Sequence, residues 1–264
     1  MYNFNYHRPS SVADAAKTVS GAEEGKLVAG GMTLIPTLKQ RLARPSDLVD
    51  LGRIAELKGI KKEGNTIVVG AMTKHADVAS SDVVKGAIPA LAALADGIGD
   101  PAVRNRGTIG GSIANNDPAA DYPSAVMALG ATVVTNKRKI AADDFFKGMF
   151  ETALEPGEIV TAVQFPIPEK AAYQKFPNPA SRYAVVGVFV AKGPAGVRVA
   201  VTGAGPVVFR QKEMEAALGK SFAPDAVASI KQPASGLNSD IHASADYRAH
   251  LVTVMAKRAV AAAK

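Results

Sequence analysis

Ala29-Gly30-Gly31-Met32-Thr33-Leu34 follows the apolar run Lys26-Leu27-Val28, and Thr108-Ile109-Gly110-Gly111-Ser112-Ile113 closes a second glycine-rich stretch. Each places two glycines within two residues of a hydroxyl. Glycine lets backbone amides turn toward an anion and removes the Cβ that would keep a phosphate away. A helix starting there adds about 0.3–1 kcal/mol of favourable dipole interaction per anionic charge. Two such loops suit the two phosphoryl groups of a diphosphate, although each pair is also compatible with a plain tight turn. Neither is a Walker A loop, because no Gly-Lys-Ser/Thr follows, and neither is a G-x-G-x-x-G fingerprint. Gly203-Ala204-Gly205-Pro206 is read as a turn, since the strand-like Val207-Val208-Phe209 follows where a dinucleotide fold needs a helix.

Outward from the first loop, strand-like and helix-like runs alternate. Lys26–Ala29 reads as a strand. Met32–Leu42 reads as a helix with Leu34, Ile35, Leu38 and Leu42 on one face, Thr33 as its cap and Pro36 in its first turn. Asp47–Leu51 and Asn65–Val69 read as strands. Thr73 is the expected cap of a helix containing Ala76 and Val78, and Asp82–Ala95 reads as one helix despite Pro89. Gly97–Asp121 reads as a functional loop. Tyr122–Leu129 is the next helix, with Asp121 at its N-cap, and Ala131–Val134 the next strand. The prolines between Pro166 and Pro179 mark a boundary or extended crossover. Strands at Tyr183–Ala191, Val197–Thr202 and Val207–Phe209 precede helices at Gln211–Leu218, Asp225–Ile230 and Ala243–Ala263. The last puts Tyr247, Leu251, Val254, Met255 and Ala259 on one face. Strands followed by helices indicate a small α+β unit.

The 264 residues carry 31 Lys+Arg against 24 Asp+Glu, a net charge of +7, yet the basic residues are dispersed and form no nucleic-acid arm. With no cysteine the chain cannot form disulfides, thiolate zinc sites or its own iron–sulfur cluster. Its four histidines show no ligand spacing, and Asp117 and Asp121 alone make a weak metal site, so no metal is expected. No G-x-S-x-G elbow is present. No apolar run has signal-peptide or membrane-helix length, so a cytoplasmic protein is expected.

The two glycine loops, taken with Arg104-Asn105-Arg106-Gly107 before the second, resemble the FAD-binding medium subunit of molybdenum hydroxylases, the family of carbon monoxide dehydrogenase medium subunits and the xanthine dehydrogenase flavin domain. Phe4–Pro9, Pro118–Asp121, Glu158–Val160, Ser181–Gly187 and Val201–Gly205 fit the same pattern in order along nearly the whole chain. The resemblance implies an α+β architecture: a two-subdomain FAD-binding fold of the vanillyl-alcohol oxidase/p-cresol methylhydroxylase type over 1–170, divided near 55–60, and a C-terminal α+β domain over 171–264. By position it implies that Ala29, Gly30, Gly31, Met32, Thr33 and Leu34 form one cofactor loop, and Thr108, Ile109, Gly110, Gly111 and Ser112 the other. Asp121 matches an acidic residue bonded to the flavin nucleotide, Ile159 and Val160 an apolar contact, Lys175 a basic residue, and Tyr183 an aromatic against the isoalloxazine. Met32 stands where many relatives carry a polar residue such as His, and Ser112 where many carry Asn. Both keep their backbone amides. Arg104 and Arg106 are read as surface or partner contacts.

The implied activity is electron transfer. A large partner subunit carrying the molybdenum cofactor oxidises the substrate, a small partner carries [2Fe-2S] clusters, and FAD on this chain delivers electrons to quinone, NAD⁺ or oxygen, in a dimer of heterotrimers. No acid–base constellation is required, because the flavin carries the chemistry. Two alternatives stay open at this point: a stand-alone FAD oxidoreductase of the same fold, and a non-enzymatic nucleotide-diphosphate-binding assembly subunit. Val in place of Gly30 or Gly111 is expected to abolish FAD retention and leave the fold largely intact.

Overall fold

The computed structural model describes residues 1–194 and 196–264. The chain opens with β1 (Asn5–His7), α1 (Val12–Gly21), β2 (Gly25–Val28), α2 (Leu34–Lys39) and β3 (Asp47–Asp50). The three strands form a parallel sheet in the order β1-β3-β2. Parallel neighbours need crossovers, and here the two helices supply them. Ser11 caps α1 by accepting from the Asp14 amide at 3.1 Å. Beneath the sheet, Ala15, Val49, Leu51, Ile54 and Leu57 pack with Met72 and Ile159 from further along the chain. The second helix is shorter than its apolar spacing predicts. It starts at Leu34, and Thr33 occupies the cap position without a side-chain cap bond.

A five-stranded antiparallel sheet follows, in the order β4-β5-β10-β6-β7. Its elements are β4 (Ile60–Glu63), β5 (Thr66–Gly70), α3 (His75–Ser80), α4 (Asp82–Ala87), α5 (Pro89–Asp96), α6 (Pro101–Arg104), α7 (Ile109–Asn115), α8 (Tyr122–Ala128), β6 (Thr132–Thr135), β7 (Lys139–Ala141), α9 (Ala142–Phe145), the small hairpin β8 (Phe146–Gly148) and β9 (Glu151–Thr152), and β10 (Val160–Pro166). Three expectations are corrected here. Thr73 caps nothing, because its hydroxyl bonds Gly59 instead. The 82–95 helix is two helices broken at Ile88, since Pro89 has no amide to continue the first and starts the second. The 97–121 loop contains two short helices, α6 and α7. Every residue of α8 is buried, because the helix lies against the five-stranded sheet's helices on one side and the C-terminal sheet on the other.

The C-terminal part is a four-stranded antiparallel sheet, β11 (Lys170–Pro177), β12 (Ala184–Gly193), β13 (Gly196–Thr202) and β14 (Phe209–Arg210) in that order, backed by α10 (Lys212–Lys220) and α11 (Ala245–Ala262). The proline-rich segment is thus mostly strand: Pro166 ends β10 opposite Thr66, and β11 runs to Pro177. The 225–230 stretch is a single 3-10 turn, Pro224–Val227. Leu251, Met255 and Ala259 of α11 join the core with Val188, Val190 and Val201, whereas Tyr247 stays 44% exposed.

The segment Asp117–Asp121 is bolted to this sheet. The Thr202 hydroxyl donates to the carbonyls of Ala120 at 2.6 Å and Pro118 at 3.1 Å, and the Gly203 amide donates to Pro118 at 2.8 Å. All three sheets therefore meet around one space.

Candidate cofactor site

That space is a cavity of about 780 Å³. Its walls come from the first glycine loop, the 71–75 and 97–121 segments, the 158–160 approach to β10, and the 180–183 turn ahead of β12. The two glycine loops both line it, in contact with each other, but they are built differently.

In the first loop Gly31 adopts φ +74°, which favours glycine, and the chain then turns into α2. Among the described residues, the amides of Gly30, Gly31, Met32, Thr33 and Leu34 find no protein acceptor. Five consecutive amides without partners on a cavity wall form a concave nest for an anion. In the second loop the amides are occupied. Ile109 donates to the Thr73 carbonyl at 3.1 Å, Gly110 to Ala71 at 2.9 Å, and Ser112 to the Thr108 carbonyl at 3.0 Å. Gly111 donates to the Thr108 hydroxyl at 3.2 Å, the N-cap bond of α7. The expectation that both loops offer amides to a diphosphate is corrected: the first can, while the second offers the hydroxyls of Thr108 and Ser112.

Glycines in and beside both loops serve contact between segments. A Cβ on Gly30 would lie 2.3 Å from the Arg106 carbonyl oxygen, and one on Gly110 would lie 2.5 Å from the Ala71 Cβ. A Cβ on Gly107 would lie 2.5 Å from Nε2 of His75. The loops are clasped at backbone contact, with Gly30 the point of closest approach.

Of the residues singled out in the sequence, Ala29 through Leu34, Thr108, Gly110, Gly111, Ser112, Asp121, Ile159, Val160 and Tyr183 all line the cavity. Ile109 does not. It is fully buried behind the wall, packed in the main core. Lys175 does not line it either. Its ammonium donates to Asp121 Oδ1, the Gly97 carbonyl and the Arg182 carbonyl, each at 2.9 Å.

Asp121 is 4% exposed and accepts from the Tyr173 hydroxyl at 2.5 Å as well as from Lys175. Its side chain therefore does not cap α8. Burial pushes the Asp121 carboxyl above the usual carboxylate range, while the Lys175 charge and the Tyr173 hydrogen bond pull it back. Tyr183 is 46% exposed at the cavity rim, and partial burial followed by the charges of Asp117 and Asp121 raises its phenol. Ile159 and Val160 are placed by a knot around the buried Glu158 carboxylate. It accepts from Arg138 at 3.0 Å, the Thr135 hydroxyl at 2.7 Å and the Glu155 amide at 2.9 Å. The Arg138 guanidinium, followed by the other donors, holds this carboxyl down at about 2.

The sequence reasoning missed Met72, His75, Gly107, Leu154 and Arg182, all on the wall. His75 is 5% exposed and packs against the Tyr122 ring at 5.3 Å. Burial, aided by Arg104, lowers its imidazole to about 4, so it is neutral at ordinary pH. No spacing signal marked it, since its place depends on its amide bonding the Gly107 carbonyl at 3.0 Å, a long-range contact. Arg104 is not a surface contact. It donates to the carbonyls of Ile98 and Gly99, both at 3.1 Å, and holds the 97–100 loop against the cavity.

A deep cavity walled by apolar side chains and carrying a nest of free amides fits a flavin dinucleotide. Residues 2–168 match the family described as FAD binding domain in molybdopterin dehydrogenase, and residues 171–263 match the CO dehydrogenase flavoprotein C-terminal domain. The chain belongs to this family of FAD-binding medium subunits of molybdenum hydroxylases, and is a flavoprotein subunit of an oxidoreductase with FAD as its cofactor. Within it, the carbon monoxide dehydrogenase medium chain of Hydrogenophaga pseudoflava is 38% identical over 98% of this chain and 96% of its own. The glyceraldehyde dehydrogenase medium chain of Sulfolobus acidocaldarius is 36% identical over 97% and 96%. The structure of the H. pseudoflava carbon monoxide dehydrogenase lacking the Mo-pyranopterin moiety superposes with a TM-score of 0.90, covering 99% of this chain and 97% of that one. Quinoline 2-oxidoreductase from Pseudomonas putida 86 superposes with 0.89 at 30% identity, covering 98% and 96%. Among the described residues no helix is long and apolar enough to cross a membrane.

Proposed function

We propose that this chain is the electron-transfer subunit of a heteromeric molybdenum hydroxylase. A large partner subunit holds the molybdenum cofactor and oxidises the substrate. A small partner relays the electrons through [2Fe-2S] clusters, and this chain passes them to an external acceptor such as quinone, NAD⁺ or oxygen. The assembly is a cytoplasmic dimer of heterotrimers. The chain divides into an FAD-binding unit over 1–170, with two subdomains meeting near 55–60, and a C-terminal unit over 171–264.

The observation that carries this reading is the run of free amides from Gly30 to Leu34 on the cavity wall. FAD, when bound, supplies a two-electron acceptor that releases electrons singly or in pairs. The rest is binding and orientation by this chain. The first-loop amides hold the diphosphate, with Ala29 and Met32 flanking it and the hydroxyls of Thr33, Thr108 and Ser112 as additional donors. Gly110 and Gly111 let α7 approach closely, and Ile109 braces them from behind. Asp121 orients a polar group of the nucleotide. Ile159 and Val160 give an apolar contact, and Tyr183 covers the flavin at the rim.

The test is an absorption spectrum of the purified chain before and after incubation with FAD, with unbound FAD removed by desalting, repeated on the co-expressed complex. Bands near ~370 and ~450 nm are expected for an oxidised flavin. A complex that is colourless after incubation with FAD and removal of the unbound cofactor by desalting overturns the reading.

A further inference from the structure

Lys175 is a cation whose side chain is only 10% exposed, and its three N–H groups are all occupied. The three acceptors belong to three segments far apart in sequence: Gly97 at the start of the 97–100 loop, Asp121 at the start of α8, and Arg182 in the turn ahead of β12. An ammonium has three donors and no more. Lys175 therefore has no donor left for a phosphate or a flavin oxygen. Apart from Lys175, the turn is tied through Asn178, whose side-chain amide nitrogen meets Nδ1 of His242 at 3.1 Å, and through bonds within the turn itself. Asn178 Oδ1 accepts from the amides of Ala180 at 2.9 Å and Ser181 at 3.2 Å, and the Arg182 amide bonds the Asn178 carbonyl at 2.9 Å. Arg182 has φ +62°, a strained conformation for a residue with a side chain, so something must hold it there.

We infer that Lys175 is a positioning residue, a three-way fastener that fixes the 180–183 turn to Asp121 and the 97–100 loop and so sets how far the cavity mouth is open. It acts on a ligand through Asp121 and Tyr183, not by contact. Its consequence for flavin access rests on the FAD reading above. The fastening itself does not, and the experiment separates the two.

Arg182 is exposed, so trypsin can cut the Arg182–Tyr183 bond once the turn comes loose. The cut is followed by mass spectrometry in the full chain, without FAD, for wild type, Lys175→Met and the double variant Asp121→Asn/Lys175→Met. The double variant removes the buried carboxylate that the single change leaves unpaired, so it stays folded if the single variant does not. Cleavage at this bond is expected to rise about tenfold or more in both, from the loss of a charge-assisted hydrogen bond to the Arg182 carbonyl. Unchanged cleavage in a variant with a wild-type far-UV circular dichroism spectrum overturns the inference.

A second readout uses the FAD-loaded chain. Iodide quenching of flavin fluorescence is expected to increase several-fold in Lys175→Met. Adding that change to Tyr183→Ala is expected to produce little further quenching, because both act on one turn. Loss of FAD from Lys175→Met with the turn still protected from trypsin shows a direct ligand and overturns the inference. A wild-type chain and complex that take up no FAD overturn the cofactor reading alone, and the proteolysis still decides the fastener.

Discussion

Replacing Gly30 with Ala tests the clasp between the two loops. The new Cβ would lie 2.3 Å from the Arg106 carbonyl oxygen, 2.8 Å from its carbon and 2.8 Å from the Gly107 Cα. All three are backbone atoms, so no side chain can rotate away. Restoring ordinary contact requires the loops to part by about 1 Å. Overpacking of this kind costs about 1–3 kcal/mol. The same displacement disturbs the free amides on either side of Gly30, so FAD affinity should fall by about tenfold or more, matching the loss of about one good hydrogen bond to a charged group. Gly111→Ala is the control. Its Cβ would meet the Thr108 hydroxyl at 2.9 Å and the Ala29 Cβ at 3.4 Å, which small shifts relieve. The Gly111 amide is already bonded within the protein, and alanine is favoured over glycine inside a helix by about 0.5–1 kcal/mol. Gly111→Ala is therefore expected within about 1 kcal/mol of wild-type stability, with FAD retained. Urea denaturation and FAD titration by fluorescence quenching measure both quantities. Equal losses in the two variants, or a larger loss in Gly111→Ala, would refute the clasp.

Three further outcomes follow from the site. Glu158 is held at about 2 against an ordinary 4.5, so its contribution is complete above pH 4.5 and is lost as pH falls toward 2. Arg138 is 44% exposed, so solvent screening limits that contribution to about 1–2 kcal/mol. Glu158→Gln should melt lower at pH 7, with the gap to wild type more than halved by pH 3 in thermal scans. His75 is folded neutral with its imidazole lowered to about 4, so stability should drop as pH falls from 6.5 to 4, by about 2–3 kcal/mol. His75→Gln should lack that component, and a native ring signal titrating near 6.5 that disappears in His75→Gln, and so belongs to His75, would contradict it. Thr108→Ala removes the α7 N-cap and should cost about 1 kcal/mol in urea denaturation. It also frees the Gly111 amide, so FAD affinity should change less than in Gly30→Ala.

What the sequence made legible was local or motif-borne. Both glycine loops, the strands beside them and α8 could be read from periodicity and turn residues, and the resemblance supplied the cofactor. Helix lengths failed where a proline competed with the pattern. Pro89 splits the predicted 82–95 helix, and Pro166 and Pro177 sit at the ends of strands, positions that tolerate a missing amide. The unequal roles of the loops were not legible, because they depend on which carbonyls lie opposite. Nothing local to Ile109-Gly110 announces that the 71–73 segment will take its amides. The surroundings of His75 and Lys175 were not legible for the same reason. One was seen only as a scattered histidine and the other as a ligand, while their partners lie 32 and between 7 and 78 positions away.

The bolting of Asp117–Asp121 to β12 and β13 has a thermodynamic consequence. The cavity draws its walls from three sheets, so a single ligand inside it touches parts that could otherwise loosen separately. Its binding free energy then appears as coupling between them, worth about 2.7 kcal/mol when free ligand stands at a hundred times its dissociation constant. Loaded protein should therefore unfold in one cooperative calorimetric transition at a higher temperature than the empty chain.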